Sequence, residues 1–305
     1  MTTELELVKP PEQISSIIYF GTPEAAVPQL RALHASGFKI PLVVSKSDAR
    51  RGRGKQTTPS PVKQAALELG LTVTDNIEDV LGIKADLGVV VAYGAMIKDN
   101  LLTTLPLVNV HFSLLPLWRG AAPVERSILA GDVYTGVSLM VIEKTLDTGA
   151  VYSSFSTQIL DNETAVELRA RLAEKSCDLL IESLASGLSD PQPQDGEPSH
   201  AAKIHKSELR LNFDESAELC NRRVRIGKAW TMFRNKRLVI VRAEPVSESS
   251  NGLVGSIAED LVQTGDGQLR LLTVQPEGKK PMAVSDWLRG AQIKSGEQFD
   301  SLTDT

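Results

Sequence analysis

Leu87-Gly88-Val89-Val90-Val91-Ala92-Tyr93 is apolar without alternation, and Leu107-Val108-Asn109-Val110-His111 follows it as a second strand-length run. A strand wetted on one face alternates polar and apolar residues, whereas an unbroken run belongs to a strand covered by helices on both faces. These stretches place the first half of the chain in an open, mostly parallel α/β sheet, where sites form beyond the carboxyl ends of the strands.

Toward the N-terminus, Ile17-Ile18-Tyr19-Phe20 reads as a short strand ending in Gly21-Thr22-Pro23, and Ala25 to His34 has helical spacing through Ala26, Leu30 and Leu33. Ile40 to Val44 is the next strand. Pro61 then opens a helix with Val62, Ala65, Ala66 and Leu69 on one side and Gly70 as its stop. Toward the C-terminus, Pro123 to Ala130 is a helix, and Val137 to Ile142 and Ala150 to Thr157 are strands flanking a Leu146-Asp147-Thr148-Gly149 turn. Ala165 to Ala185 is a long amphipathic helix. Past Ser186 the pattern lapses into a stretch with Pro191, Pro193 and Pro198 and little apolar material, which reads as a linker. Short β-branched segments follow, Arg237 to Ala243, Gly252 to Leu261 and Gln268 to Val274, after a helix over Glu215 to Val224. They predict a small β-barrel or sheet. The expected division is a first domain over 1–189, a linker over 190–205 and a second domain over 206–305.

With 305 residues, 42% hydrophobic and 23% charged, the chain has the composition of an ordinary globular protein of one or two domains. A formal charge of −5 gives no global attraction to nucleic acid or to an anionic membrane, so any such contact must rest on local patches. Cys177 and Cys220 lack the spacing of a zinc or redox pair, which fits a reducing cytoplasm. Met1 to Ser16 lacks the basic and apolar blocks of a secretory signal, and no apolar run is long enough to span a membrane.

Asn109 and His111 share one strand face, because the side-chain period is two. An amide beside an imidazole at the end of an apolar strand is costly to bury without a polar task. Asn can donate to a carbonyl oxygen as negative charge develops there, and His can move a proton near neutral pH. Backbone groups satisfying both side chains are the alternative. Asp147 beside His111 would fix the imidazole or hold a water; by itself, an Asp before Thr-Gly serves equally well as a turn former. Gly21-Thr22-Pro23 is not a dinucleotide fingerprint. Gly52-Arg53-Gly54-Lys55 runs into Gln56 rather than the Ser or Thr of a phosphate loop, and no HExxH or cysteine cluster suggests a metal. Neither a nucleotide cofactor nor a metal is expected.

Asn109 to Pro116, followed by Arg119-Gly120-Ala121-Ala122-Pro123 and by Leu146-Asp147-Thr148-Gly149, resembles the folate-dependent formyltransferases. Phe20-Gly21-Thr22-Pro23, the basic loop with Pro59-Ser60-Pro61-Val62-Lys63, Ala229-Trp230-Thr231, Val274 to Lys280 and Trp287-Leu288-Arg289-Gly290 are similar to the methionyl-tRNA formyltransferase branch. Ser45-Lys46-Ser47-Asp48 and Ile226-Gly227-Lys228 depart from its pattern. The resemblance implies a Rossmann-like sheet with a smaller, OB-like C-terminal β-barrel domain. It also implies 10-formyltetrahydrofolate as formyl donor, initiator methionyl-tRNA as acceptor, and a monomer. Carried over, Asn109 holds the formyl oxygen, and His111 with Asp147 assists proton transfer, with either His111 or a water taking the amine proton. Val89, Val90, Ala92, Ser113, Leu114, Leu115 and Pro116 become folate contacts.

Two basic clusters suit a phosphate backbone. One is Arg50, Arg51, Arg53 and Lys55; the other is Arg222, Arg223, Arg225, Lys228, Arg234, Lys236, Arg237 and Arg242, with no acidic residue inside its span. A solvated charged face is the plainer alternative for each. Competing functions are formylation of a nucleotide sugar or other small amine, hydrolysis of formyltetrahydrofolate, and an RNA-binding scaffold without catalysis.

Overall fold

The computed structural model describes residues 7–50, 57–248, 252–294 and 296–300. The chain divides into two compact units: Met1–Pro123, Tyr134–Gln158 and Arg169–Ala202 form one, and Val124–Val133, Ile159–Leu168 and Lys203–Thr305 the other.

The first unit is built on β1 (Ser16–Gly21), β2 (Lys39–Val44), β3 (Ala49–Arg50), β4 (Thr57–Thr58), β5 (Val73–Thr74), β6 (Leu87–Val91), β7 (Leu107–His111), β8 (Arg119–Gly120), β9 (Tyr134–Val141), β10 (Val151–Gln158) and β11 (His200–Ala201). Seven of these form one sheet in the order β10-β9-β7-β6-β1-β2-β5. From β7 through β5 every neighbour is parallel, while β9 and β10 run antiparallel at one edge. All five residues of β6 are buried, as its unbroken apolar run requires. Helices α1 (Val27–Ala35) and α2 (Pro61–Glu68) lie between strands, and the short α3 (Asp99–Leu102) precedes β7. Ser60 caps α2 by accepting from the Lys63 N–H, and Pro61 occupies its first turn, where no donor is lost.

Two further pairs lie off the main sheet. β3 pairs with β4, flanking residues 51–56, and β8 pairs in parallel with β11. The stretch read as a linker is thus stitched to the first unit: Gln192 also exchanges backbone hydrogen bonds with Val151, and Arg119 N–H donates to Ser199 O at 2.9 Å.

The second unit holds α4 (Pro123–Ala130), the start of α5 (Ala165–Ala185), α6 (Ala217–Arg225), β12 (Trp230–Phe233), β13 (Lys236–Val246), β14 (Ile257–Ala258), β15 (Leu261–Gln263), β16 (Gln268–Pro276), β17 (Met282–Ala283) and α7 (Val284–Ala291). Its sheet is antiparallel, in the order β12-β13-β16-β15-β14 with β17 added on β16. Among the described residues no strand pairing joins β12 to β14, and residues 297–300 instead bond to both. Ile257 N–H donates to Glu297 O and Phe299 N–H to Gly255 O on one side, and Asp300 N–H to Met232 O on the other, each at 2.9 Å. The antiparallel sheet stays open by strand pairing among the described residues, and the C-terminal segment adds only these irregular bonds at its two edges. Phe299 turns inward from that segment onto Phe213 and Phe233, with ring centroids 5.3 and 5.6 Å away. The expected strand over Gly252 to Leu261 is realised as β14 at Ile257–Ala258 and the first residue of β15, because residues 253–256 turn and Glu259, at φ 53°, reverses the chain between them.

Candidate active site

The register of the first sheet places Asn109 beside Val90 on one side and Met140 on the other, with His111 opposite Ser138. The His111 and Asp147 side chains are only 6% and 10% exposed. Asp147 arrives from the loop between β9 and β10, which curls back so that Asp147 meets the two strand residues. Asn109 Nδ2 donates to Asp147 Oδ1 over a long 3.5 Å. His111 Nδ1 stands 3.7 Å from Asp147 Oδ2. The trio read from the sequence is therefore one constellation.

His111 Nε2 lies 2.9 Å from the Trp118 carbonyl oxygen. A carbonyl only accepts, so Nε2 carries the proton and donates it. In the neutral ring Nδ1 is then the basic atom, and it faces the Asp147 carboxylate. The gap between Nδ1 and Oδ2 is too wide for a direct hydrogen bond, and the neutral ring has no proton there to share. Protonation of Nδ1 creates the donor that Asp147 is placed to receive.

The surrounding backbone is held in unusual conformations. Asp147 has φ 54°, Trp118 φ 61° and Ala92 φ 45°, all left-handed positions that a non-glycine residue holds at about 1–3 kcal/mol each. Asp147 keeps its place through several contacts. Gly120 N–H donates to its Oδ2 at 2.8 Å, and Gln194 Nε2 donates to its main-chain O at 2.9 Å and to Gly149 O at 2.8 Å. Gly149 has to be glycine, since a Cβ there would stand 2.0 Å from Val141 O. The loop after β7 is stapled from β9: Ser138 Oγ donates to Ser113 O at 2.8 Å and accepts from Leu115 N–H at 3.1 Å.

Among the expected folate contacts, Val90 shares the face of Asn109, and Ala92 is exposed just past the strand end. Leu114 and Leu115, in the loop that follows β7, are half-buried apolar side chains of the kind that suits a flat heterocycle. Val89 is a correction as a side-chain contact: it is fully buried and pairs with Val108, one residue out of phase with Asn109. Ser113 is buried too, its hydroxyl donating to Leu117 O at 2.6 Å, and Pro116 is buried with it.

The basic residues fare differently. Arg51, Arg53 and Lys55 lie outside the described residues, and Arg50 pairs through its main chain with Thr57. Arg225 is corrected: it is 9% exposed, with Nε donating to Glu163 O and Nη2 to Leu160 O, both at 2.9 Å. It braces its own unit from a nearly buried position. Arg222 donates to Ala130 O at 3.1 Å and meets Glu218, Arg223 is paired with Glu215, and Arg234 with Glu297. Arg242 is paired with Glu167. The Arg237 guanidinium sits 4.6 Å from the centre of the Trp230 ring. Lys228 and Lys236 are exposed, with no ion pair among the described residues.

Sequence reasoning did not anticipate Gln194, the Gly120 N–H or the Trp118 carbonyl as parts of the site. Backbone groups carry no sequence signal, and a glutamine amid prolines has no periodicity to betray it. Among the described residues no group of three or more His, Cys, Asp or Glu could hold a metal, and no helix is long and apolar enough to cross a membrane.

The geometry can be set beside known proteins. Residues 15–184 match the family model described as formyl transferase, and residues 203–292 the one described as formyl transferase, C-terminal domain. A methionyl-tRNA formyltransferase of Methylococcus capsulatus is 41% identical over 89% of this chain and 96% of its own length. One from Thermus thermophilus is 40% identical over 94% of this chain and 99% of its own. Among solved structures, a methionyl-tRNA formyltransferase from Clostridium thermocellum superposes with a TM-score of 0.57 at 17% identity, covering 76% of this chain and 93% of that one.

Proposed function

We propose, from the premise that this chain belongs to the formyl transferase family, that Asn109, His111 and Asp147 carry out its chemistry. The enzyme moves the formyl group of 10-formyltetrahydrofolate to the free amino group of methionyl-tRNA, giving N-formylmethionyl-tRNA. Our reading goes further in naming initiator tRNA as the acceptor and a cytoplasmic monomer as the working form; two unpaired thiols suit that reducing compartment.

The observation that carries the site assignment is the convergence of an amide, an imidazole and a carboxylate on one nearly buried face, with hydrogen-bonding capacity left over. Asn109 spends little of its amide on Asp147 at 3.5 Å, leaving an N–H to hold the formyl oxygen as it gains negative charge. The amine nitrogen bonds to the formyl carbon, the bond from that carbon to the folate nitrogen breaks, and one proton passes from the amine toward the departing nitrogen. His111 Nδ1 is the basic atom facing the site, and the imidazolium formed by taking that proton is stabilised by Asp147. A water held by the Asp147 carboxylate is the alternative acceptor of that proton. Val90, Ala92, Leu114 and Leu115 make the apolar bed for the donor, with Val89, Ser113 and Pro116 supporting it through the backbone. Arg50, Arg51, Arg53, Lys55, Lys228, Lys236 and Arg237 are the proposed phosphate contacts, and the ion-paired Arg222, Arg223 and Arg234 can reach phosphate only by giving up their carboxylates.

Transfer of labelled formyl from 10-formyltetrahydrofolate tests this reading, with initiator methionyl-tRNA, elongator methionyl-tRNA and an amino sugar as competing acceptors. Preference for the initiator species is expected. Equal formylation of the amino sugar, or formate release without any acceptor, overturns it.

A further inference from the structure

We propose that Gln194 is a positioning residue for formyl transfer, a brace that keeps the Asp147 turn in register with Asn109 and His111; this rests on the reading of Asp147 as a catalytic carboxylate. Gln194 belongs to the polar, proline-rich stretch between the two family-model matches. Its side chain nevertheless reaches the centre of the site.

The amide is saturated. Its nitrogen donates to Asp147 O at 2.9 Å and to Gly149 O at 2.8 Å, while its oxygen accepts from Arg119 Nε at 2.9 Å and Nη2 at 2.6 Å. The orientation is unambiguous, because a guanidinium only donates and the two carbonyls only accept. A charged donor on the amide oxygen also polarises the N–H bonds, so each hydrogen bond in the chain strengthens the next.

The two carbonyls belong to the 147–148 and 149–150 peptides, so one side chain pins the turn both where Asp147 leaves it and just beyond Thr148-Gly149. Asp147 sits at φ 54° and needs such outside support to stay there. Adjacent residues of β8 divide the work: Arg119 aligns Gln194, which holds the Asp147 backbone, and Gly120 N–H holds the Asp147 carboxylate. Without Gln194 the carboxylate would still be tethered, but its main chain would be free to relax toward an unstrained conformation. The carboxylate would then drift from Nδ1 of His111.

The test is steady-state kinetics on the full-length enzyme. Gln194→Ala is expected to lower kcat by about 10²-fold while KM for folate and for methionyl-tRNA stays within about twofold, since misplacing a catalytic group costs turnover rather than binding. In an Asp147→Asn background the same change is expected to add at most about threefold, because the two residues act as one unit. A merely structural role would lower thermal stability and leave kcat and this coupling untouched. Near-native kcat in Gln194→Ala, with Asp147→Asn inactive, overturns the brace alone. Near-native kcat in Asp147→Asn overturns the catalytic reading of Asp147 itself. If Gln194→Ala does not accumulate as folded protein, Gln194→Glu decides: it keeps the Arg119 pairing but turns a carboxylate oxygen toward two carbonyls. A loss of kcat at unchanged KM supports the brace, and native kcat overturns it.

Discussion

Around Asn109, three polar side chains converge with donors and acceptors to spare. Between Arg222 and Arg242, guanidinium after guanidinium is held by a neighbour inside its own unit: Arg223 by Glu215, Arg225 by two backbone carbonyls, Arg234 by Glu297 and Arg242 by Glu167. The first region keeps hydrogen-bonding capacity unspent in a place screened from water, where it is worth most to a ligand. The second has spent most of its capacity on its own architecture. A dense run of cations is thus weaker evidence for a partner than two polar residues on one buried strand face.

The sharpest way to break this contrast is Asn109→Ala. It is expected to lower kcat by about 10²–10³-fold, the loss typical of one oxyanion-stabilising donor, with both KM values little changed; native turnover would remove the first half of the comparison. Next comes Arg225→Ala. It removes the side-chain donor to the buried Glu163 carbonyl and one of two donors to Leu160 O, and is expected to destabilise the second unit by about 1–2 kcal/mol, read as a lower melting temperature with kcat intact at low temperature. If instead stability held and tRNA affinity fell, Arg225 would rejoin the binding surface.

A smaller effect is expected from replacing Lys228 and Lys236 together by alanine. The logarithmic salt dependence of tRNA binding should flatten by about one per lysine, with KM for folate unmoved. No change in that slope would leave the second region wholly structural. The smallest effect concerns Glu167, whose carboxyl is pulled from 4.5 to about 2, first by the Thr164 N–H, then by the Thr164 hydroxyl and by Arg242. A depressed carboxyl stabilises the fold above about pH 4.5 and loses that contribution as pH falls toward 2. With the side chain 46% exposed, solvent screening holds the contribution under about 1 kcal/mol. Glu167→Gln should flatten the fall in melting temperature across that window, and an unchanged acid profile would show that the Thr164 and Arg242 contacts carry no net weight.

Strand placement and the Asn109–His111 pair were legible because both follow local rules. The unbroken run of β6 demands burial on both faces, and Asn109 and His111 fall on one side by alternation alone. Asp147 was legible as a turn residue, and its arrival at His111 came through the family resemblance. The rest depends on contacts far apart in the chain. Arg225 reaches Glu163 and Leu160 across 62 and 65 positions, Gln194 reaches Asp147 across 47, and residues 297–300 bond to both β12 and the β14 edge. No propensity or period encodes such meetings.

The stitching of residues 192–201 to the first unit bears on where a formyl-transferring module ends. A fragment stopping at residue 189 would keep every strand of the seven-stranded sheet and all three of Asn109, His111 and Asp147. It would lack Gln194, Ser199 and the β11 partner of β8, and so the scaffolding of its own carboxylate. Grafting this chemistry onto another acceptor-binding domain therefore requires carrying the chain through Ala202. The seam between modules lies where the turn is last gripped, well beyond the last strand of the main sheet.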